Sequence, residues 1–233
     1  MDYSGIVEQI RPSIAIIFVL DGVGSIVSKG SGFVFGKNDV LVTCNHVIAG
    51  EGMTVMVKFP GNENFLKASI VIHDDEHDLA LLKFEDDRSR IPLGKADPGS
   101  IKEGMPVIFS GYPLDLVSLA THQGILSAII KDAKGITTYL IDGTVNSGNS
   151  GCPLMTIDGK VIGVVNAKRR ERSDLLYKVE EMKTGAVALH GIDLVEVYQA
   201  LISNLQLGIG FAVPCSYIPR HIDSEITLDD LDN

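Results

Sequence analysis

Short apolar runs separated by turn residues dominate the chain and predict β-strands. The runs SIAIIFVL at 13–20, DVLVTCNHV at 39–47 and DLALLKF at 78–84 are rich in valine, isoleucine and leucine, and glycine, asparagine and aspartate lie between such runs. Short strands at this spacing are typical of a β-sandwich or a β-barrel. The pattern therefore predicts an all-β protein.

A polar stretch divides the strand pattern into two halves of about six strands each. Residues 91–104, IPLGKADPGSIKEG, contain prolines and glycines and few apolar residues, which is typical of a linker. We expect a first half at 1–90, a second half at 105–218 and an acidic tail at 219–233.

Two segments break the strand pattern. The sequence SGIVEQIRPS at 4–13 predicts a short helix, which Pro12 ends. In the second half, residues 168–207 separate two predicted strands and begin with the basic run KRRER. Apolar residues recur at helical spacing near the end of this insertion and predict an inserted amphipathic helix. These apolar residues are Leu194, Val197, Tyr198, Leu201, Ile202 and Leu205.

The charge of the chain argues against nucleic acid as a partner. The formal net charge is −10, so no general basic field is available to hold a phosphate backbone. The longest apolar run, at 14–20, is too short to span a bilayer. We therefore expect neither a nucleic-acid-binding protein nor a membrane protein.

The cysteines and the N-terminal sequence bear on the cellular compartment. The chain has 3 cysteines, which cannot all pair within one chain and are few for a disulfide scaffold. The first residues lack the basic region, apolar run and cleavage site of a secretory leader. If Met1 is the native start, we expect a cytoplasmic protein.

A glycine-rich stretch, VNSGNSGCPL at 145–154, offers a candidate nucleophile. Its glycines leave the hydroxyl of Ser150 uncovered, and the N–H groups of Gly148 and Ser150 can point to one spot where an oxyanion forms. His46 follows an apolar strand and is the candidate base, while Asp78 opens another strand and can orient the imidazole. Each element alone is also typical of a plain turn or strand end, but their combination favours a catalytic site.

The HDDEHD sequence at 73–78 offers a competing site, because His73, Asp75 and His77 are all potential metal ligands. Their alternating spacing on a turn matches no recognisable metal site. We predict neither a metal nor another cofactor.

Together these residues resemble the trypsin-like serine peptidases, and among them the HtrA/Deg-like protease domain. Seven stretches in the family's order carry the resemblance: GSGFVF (30–35), LVTCNHVI (41–48), DLALLKF (78–84), FSGYPLDL (109–116), IDGTVNSGNSGCPLM (141–155), KVIGVV (160–165) and GIGFAVP (208–214). The resemblance implies a chymotrypsin-like fold of two six-stranded antiparallel β-barrels, with the site in the cleft between them. It also implies a triad of His46, Asp78 and Ser150 that acts on polypeptides.

The chain departs from the family pattern in three places. Cys152 stands where the family usually has glycine, and we expect it to be a small buried apolar residue rather than a redox switch. About 15 residues follow VPCSYIP, so by its length the chain is expected to lack the PDZ domain that such proteins usually carry. The insertion at 168–207 is longer than the family's loop.

The resemblance also implies where specificity resides. The residue six before the serine, Thr144, would lie at the base of the primary pocket, followed by Val145. Neither is a carboxylate, so a buried lysine or arginine side chain would go unpaired. We expect cleavage after small or medium apolar residues, with Asn166 and Ala167 also shaping the pocket.

Several interpretations stay open from the sequence alone. The insertion at 168–207 could be a lid over the site, a dock for a regulatory protein or a self-association surface, or it could only pack on the second barrel. The whole chain could be a restrained or inactive protease-fold module that binds peptides or a partner protein. A non-enzymatic β-barrel scaffold is a weaker alternative. An esterase is also weaker, because the strand–turn–helix context of its serine is missing.

Overall fold

The computed structural model describes residues 2–48, 50, 52–86, 88–167, 188–193, 195–197 and 208–219. In this part of the chain the strands form two closed antiparallel barrels of six strands each, with a separate two-stranded hairpin. This arrangement confirms the predicted fold class. A short helix, α1 (Ser4–Ile10), precedes the first barrel as the sequence predicts.

The first barrel is built from the apolar runs of the N-terminal half. Its interior is filled by large apolar side chains, and Ile17, Phe33, Leu41 and Leu82 are each 0 % exposed. The strands pair in the order β1-β2-β3-β6-β5-β4. Their bounds are β1 (Ile14–Leu20), β2 (Ile26–Val34), β3 (Val40–Cys44), β4 (Thr54–Lys58), β5 (Leu66–Asp74) and β6 (Leu79–Phe84). A one-turn helix, α2 (Asn45–Ile48), follows β3.

The second barrel repeats this arrangement in the C-terminal half. Its strands pair in the order β10-β11-β14-β9-β8-β7. Their bounds are β7 (Pro106–Gly111), β8 (Ala120–Lys131), β9 (Thr137–Asp142), β10 (Pro153–Thr156), β11 (Val161–Asn166) and β14 (Ile209–Pro214). The hairpin of β12 (Ala188–Leu189) and β13 (Ile192–Asp193) lies in the chain between β11 and β14.

The polar stretch between the barrels hydrogen bonds to both of them. The N–H of Leu93 donates to Val34 O of the first barrel at 2.9 Å, and the N–H of Ala96 donates to Val161 O of the second barrel at 3.0 Å. This segment therefore helps to fix the orientation of the two barrels.

The apolar core also crosses the barrel boundary. Ile108, Met155, Val161 and Val164 belong to strands of the second barrel, yet they pack into the core cluster of the first. The cleft between the barrels consequently has a floor of packed side chains. The core cluster of the first barrel therefore extends across the boundary into the second barrel.

Most of the insertion and the tail lie outside the described residues. Of the predicted amphipathic helix, only residues 195–197 are described, and they are helical. The hairpin at 188–193 was not predicted, because its two-residue strands are too short to give a pattern. Across the described ranges, no helix is long and apolar enough to cross a membrane.

The shared core predicts that the two barrels unfold together. Leu82 in the first core and Leu154 in the second are both 0 % exposed. Truncating either to alanine should lower the free energy of unfolding by about 2–5 kcal/mol. Both variants should move one common urea transition, followed by far-UV circular dichroism and tyrosine fluorescence. Ile26→Ala, at an exposed position, is the control, and two transitions that shift separately would contradict the shared core.

Candidate active site

His46 lies at the cleft because β3 ends two residues before it. The strand stops at Cys44, and α2 turns the chain so that the imidazole is only partly buried. The main-chain N–H of His46 donates to Asp78 Oδ1 at 2.8 Å. The loop that carries the imidazole is therefore fixed to the residue that orients it.

Asp78 precedes β6 in an unusual backbone conformation. Its φ is 56°, a left-handed value that aspartate adopts more readily than most residues. The carbonyl of Asp78 accepts a hydrogen bond from the N–H of Asn45 at 3.0 Å. These constraints direct the carboxylate to the imidazole, where Asp78 Oδ2 lies 2.6 Å from His46 Nδ1.

Two opposing effects act on the carboxylate of Asp78. Burial raises its pKa, but hydrogen bonds from the ring and main chain of His46 and from Asn166 outweigh burial and hold the pKa below its ordinary value of 3.8. The group is therefore an ionised acceptor at neutral pH. Because a carboxylate can only accept, His46 Nδ1 carries the proton and Nε2 is left as an acceptor.

Ser150 completes this chain of hydrogen bonds from the second barrel. Its Oγ lies 2.9 Å from His46 Nε2, so the hydroxyl can donate to the free lone pair of the ring. The N–H of Ala167 donates to the same oxygen at 3.2 Å. The structure thus brings together the three side chains that the sequence analysis singled out, from residues 104 and 32 positions apart.

Three carbonyl groups of the turn at 147–150 accept hydrogen bonds from distant segments. The carbonyl of Ser147 accepts from the N–H of Leu114 at 2.7 Å. The carbonyl of Gly148 accepts from Ser31 Oγ at 2.7 Å, and that of Ser150 accepts from the N–H of Ser31 at 2.9 Å.

These bonds leave two donors without a partner. Among the described residues, the N–H groups of Gly148 and Ser150 have no acceptor. Two such N–H groups beside the hydroxyl are available to stabilise an oxyanion.

Glycine is required next to the serine for steric reasons. Gly151 has φ of 86°, and a Cβ there would lie 2.1 Å from Ser31 O and 2.3 Å from Thr43 Oγ1. The following Cys152 is fully buried in the core of the second barrel. Burial raises the pKa of its thiol, so the group stays protonated and weakly reactive.

The four residues expected to shape the pocket occupy different places. Thr144 is exposed and Val145 is half-buried. Val145 faces Gly210, where an added Cβ would lie 2.2 Å from Val145 Cγ2. Ala167 contacts Ser150 through its N–H, while Asn166 Nδ2 donates to Asp78 Oδ2 at 2.7 Å. The amide of Asn166 is thus part of the hydrogen-bond chain.

Two residues of the HDDEHD cluster share Asn45 as a partner, and His77 pairs with Asp74 inside the cluster. His73 Nδ1 lies 2.7 Å from Asn45 Oδ1, Asp75 Oδ1 accepts from Asn45 Nδ2 at 2.5 Å, and His77 Nδ1 lies 2.8 Å from Asp74 Oδ2. They are therefore engaged in side-chain hydrogen bonds of the first barrel.

One grouping among the described residues has metal-ligand atoms close together. The ligand atoms of Cys44, His46 and Asp78 lie within 4.8 Å of one another. Burial raises the pKa of the Cys44 thiol well above 9.0, and this thiol donates to Val165 O at 3.3 Å. A protonated and buried thiol is a poor ligand, so this grouping fits hydrogen bonding better than metal binding.

Sequence reasoning missed the residues that support the site from below. Ser31 and Thr43 lie in stretches that carry the resemblance, but neither was assigned a role. Thr43 Oγ1 donates to Ser31 O at 2.8 Å, and Ser31 Oγ accepts from the N–H of Tyr112 at 2.9 Å. These contacts join distant segments, so no local pattern could have revealed them.

Comparison with known proteins agrees with this architecture. The profile of the trypsin-like peptidase domain matches residues 30–164. A Lactococcus lactis protein, Serine protease Do-like HtrA, is 33 % identical over 220 residues, covering 86 % of this chain and 52 % of the relative. The chain thus spans about half the length of that relative. The serine endoprotease from Yersinia pestis has a TM-score of 0.65 at 21 % identity, covering 93 % of this chain and 63 % of that one, which supports the fold.

One of these comparisons corrects the expected location. A Rhizobium meliloti relative, 35 % identical over 143 residues that cover 60 % of this chain and 28 % of the relative, is named a probable periplasmic serine endoprotease. The cytoplasmic expectation is therefore wrong. It depended on Met1 as the native start, and a sequence that spans only part of its relatives gives no such ground.

The profile match, the identity to HtrA proteins and the double barrel all support a serine endopeptidase. The chain belongs to the trypsin-like peptidase family, and the relatives named above are HtrA-type serine proteases.

Proposed function

We propose that the protein is a serine endopeptidase that cleaves polypeptides through an acyl-enzyme on Ser150. The observation that carries the proposal is the chain from Asp78 to His46 to Ser150, with contacts of 2.6 Å and 2.9 Å. The two unpaired N–H groups of Gly148 and Ser150 lie beside it. Acyl transfer needs a nucleophile, a base, a group that orients the base and an oxyanion site. These residues provide all four.

In the first step, Ser150 Oγ attacks the carbonyl carbon of the scissile peptide bond. His46 Nε2 takes the hydroxyl proton as the new C–O bond forms, and the Gly148 and Ser150 N–H groups donate to the developing oxyanion. The imidazolium then gives its proton to the leaving nitrogen while the C–N bond breaks. Water, activated by the same nitrogen of His46, hydrolyses the ester and restores the hydroxyl.

Asp78 and Asn166 support the base throughout these steps. Asp78 holds the Nδ1 proton, which keeps Nε2 free to accept, and its negative charge stabilises the imidazolium. Asn166 donates to the same carboxylate oxygen. This bond favours the ionised form of Asp78 and fixes its plane.

We also propose that cleavage follows small or medium apolar residues. Thr144 and Val145 provide no carboxylate to pair with a basic side chain. The isopropyl group of Val145 fills the space that faces Gly210, which narrows the region where the primary pocket is expected. A large aromatic side chain would require that this group move.

The competing function is a restrained or inactive module that binds peptides. The contact between Ser150 and His46 and the unpaired N–H groups argue against it. The insertion at 168–207, proposed from sequence as a gate, lies mostly outside the described residues and gives no support to either function.

The triad predicts covalent labelling at a single residue. A fluorophosphonate probe should label Ser150, with loss of labelling in Ser150→Ala and His46→Ala, and mass mapping would locate the adduct. Asp78→Asn should reduce the labelling rate by about 10⁴-fold, because the wrong imidazole tautomer is favoured. Ser69→Ala, at an exposed serine on β5, is the matched control. Folded wild-type protein without labelling would instead support the peptide-binding module.

The lowered pKa of Asp78 predicts a loss of stability in acid. A carboxyl whose folded pKa is depressed stabilises the fold fully above its ordinary value of 3.8. That contribution disappears as the pH falls through the lower folded pKa. Urea unfolding of wild type and Asp78→Asn at pH 7 and pH 3 should show a larger loss for wild type. Asn166→Ala should bring the folded pKa of Asp78 closer to 3.8, so the acid loss should be smaller than in wild type and should end at a higher pH. Identical acid profiles for all three proteins would contradict this account.

The narrow pocket predicts a specificity change on truncation of Val145. Val145→Ala should raise kcat/KM for leucine or phenylalanine relative to valine before the scissile bond by about tenfold or more. A peptide library followed by mass spectrometry measures the preference, with the exposed Val23→Ala as control. An unchanged preference would exclude Val145 from the pocket.

A further inference from the structure

Lys29 makes two hydrogen bonds to main-chain carbonyls far away in the sequence. It lies on β2, and its Nζ donates to Leu114 O and, at 2.7 Å, to Leu116 O. The residues are separated by 85 and 87 positions. A charged side chain of the first barrel thus fixes the loop that follows β7 in the second.

The loop that Lys29 holds lies directly against the oxyanion turn. The N–H of Leu114 donates to Ser147 O at 2.7 Å. A Cβ added to Gly148 would lie 2.2 Å from Tyr112 O and 3.3 Å from Leu114 N, so loop and turn are in close contact. Both peptide groups of Leu114 are therefore hydrogen bonded. The carbonyl of Leu114 accepts from Lys29, and the N–H of Leu114 donates to Ser147.

The backbone of Leu114 needs such support. Its φ is 52°, a left-handed conformation that brings Cβ close to the following carbonyl oxygen and is strained for a residue other than glycine. Its side chain is half exposed, so apolar packing contributes little to holding it. The two bonds from the ammonium group are charge-assisted, which makes them stronger than bonds between neutral groups.

The bond to Ser147 O decides where the Gly148 N–H points. The carbonyl of Ser147 and the N–H of Gly148 belong to one planar peptide group and point in opposite directions. While Leu114 holds the carbonyl outward, the N–H of Gly148 stays available for an oxyanion. If that peptide group flipped, the carbonyl of Ser147, an acceptor, would face the oxyanion site in place of the N–H of Gly148.

We propose that Lys29 is a positioning residue for the oxyanion turn, holding the 114–116 loop so that the Ser147–Gly148 peptide presents its N–H to the reacting carbonyl. This inference rests on the proposed endopeptidase function. Lys29 contacts no reacting atom, and it acts through Leu114 and the Ser147–Gly148 peptide. Neither the family match nor the triad assigns a role to this side chain.

The test compares Lys29→Met with Lys29→Arg and Lys58→Met. Methionine keeps the length of the side chain without its donors, while arginine keeps both charge and donors. Lys58 on β4 pairs with Ile16 as Lys29 pairs with Phe18. Its Nζ instead lies over the ring of Phe65 at 5.2 Å, so Lys58→Met removes a similar lysine without touching the loop.

Three readouts depend on the oxyanion site, and a fourth, the amide exchange of Leu114, does not. We expect Lys29→Met to slow fluorophosphonate labelling and weaken binding of a peptide boronic acid by about 10- to 100-fold, somewhat less than the loss of one oxyanion donor. On a fluorogenic peptide with valine before the scissile bond, kcat should fall with little change in KM. Lys29→Arg should recover to within about threefold of wild type and Lys58→Met should match it. Amide exchange of Leu114, measured by NMR, should be about tenfold faster in Lys29→Met.

Labelling, boronate binding and Leu114 exchange in Lys29→Met all within twofold of wild type would overturn the inference. A loss equal to that of Lys29→Met in Lys58→Met would also overturn it, since a general change in charge would then suffice. If wild type itself does not label, the endopeptidase proposal fails. The amide exchange of Leu114 would still decide whether Lys29 holds the loop.

Discussion

The Ser31 hydroxyl and its neighbouring peptide groups hold the site together, because they join the first barrel directly to the turn that carries Ser150. Ser31 lies on β2, is fully buried, and bonds through its N–H and Oγ to Ser150 O and Gly148 O. Oγ also accepts from Tyr112 of the second barrel. The histidine and aspartate come from one barrel and the serine from the other, so the distance between Nε2 and Oγ depends on this junction. A small hydroxyl fits because Gly111 lies against it, where an added Cβ would lie 2.8 Å from Ser31 Oγ.

The sequence predicted the fold and the central residues for a physical reason. Each β-strand is a local apolar run, and the residues near the cleft lie where such runs begin or end, at His46, Asp78 and Ser150. Glycine beside Ser150 is likewise visible locally, because its φ of 86° disfavours residues with a side chain. The end of the short N-terminal helix at Ile10 was predictable from Pro12, two residues later. These features are encoded within a few residues of each other.

The remaining features were not predictable because they join distant segments. Asn166 was assigned to the pocket, yet its amide bonds to Asp78 across 88 positions. Ser31 and Gly148 are 117 positions apart, and their contact appears only when the barrels close on each other. The contacts of Lys29 were equally unpredictable, because a lysine on the outer face of a barrel is usually solvated. Three-dimensional proximity, rather than residue type, gives each of these side chains its role.

The 114–116 loop is a surface segment whose backbone is constrained while its side chains are not. Leu114 and Leu116 expose half of their side chains, and a redesign for solubility would replace them first. Their contacts with Lys29 and Ser147 use only main-chain atoms, so polar replacements should preserve the geometry, whereas proline at 114 would remove the N–H and forbid the positive φ. Over evolution, the side chains of this loop should therefore vary widely in chemistry while its backbone conformation stays the same. Comparison of residue identities alone would not detect this kind of selection.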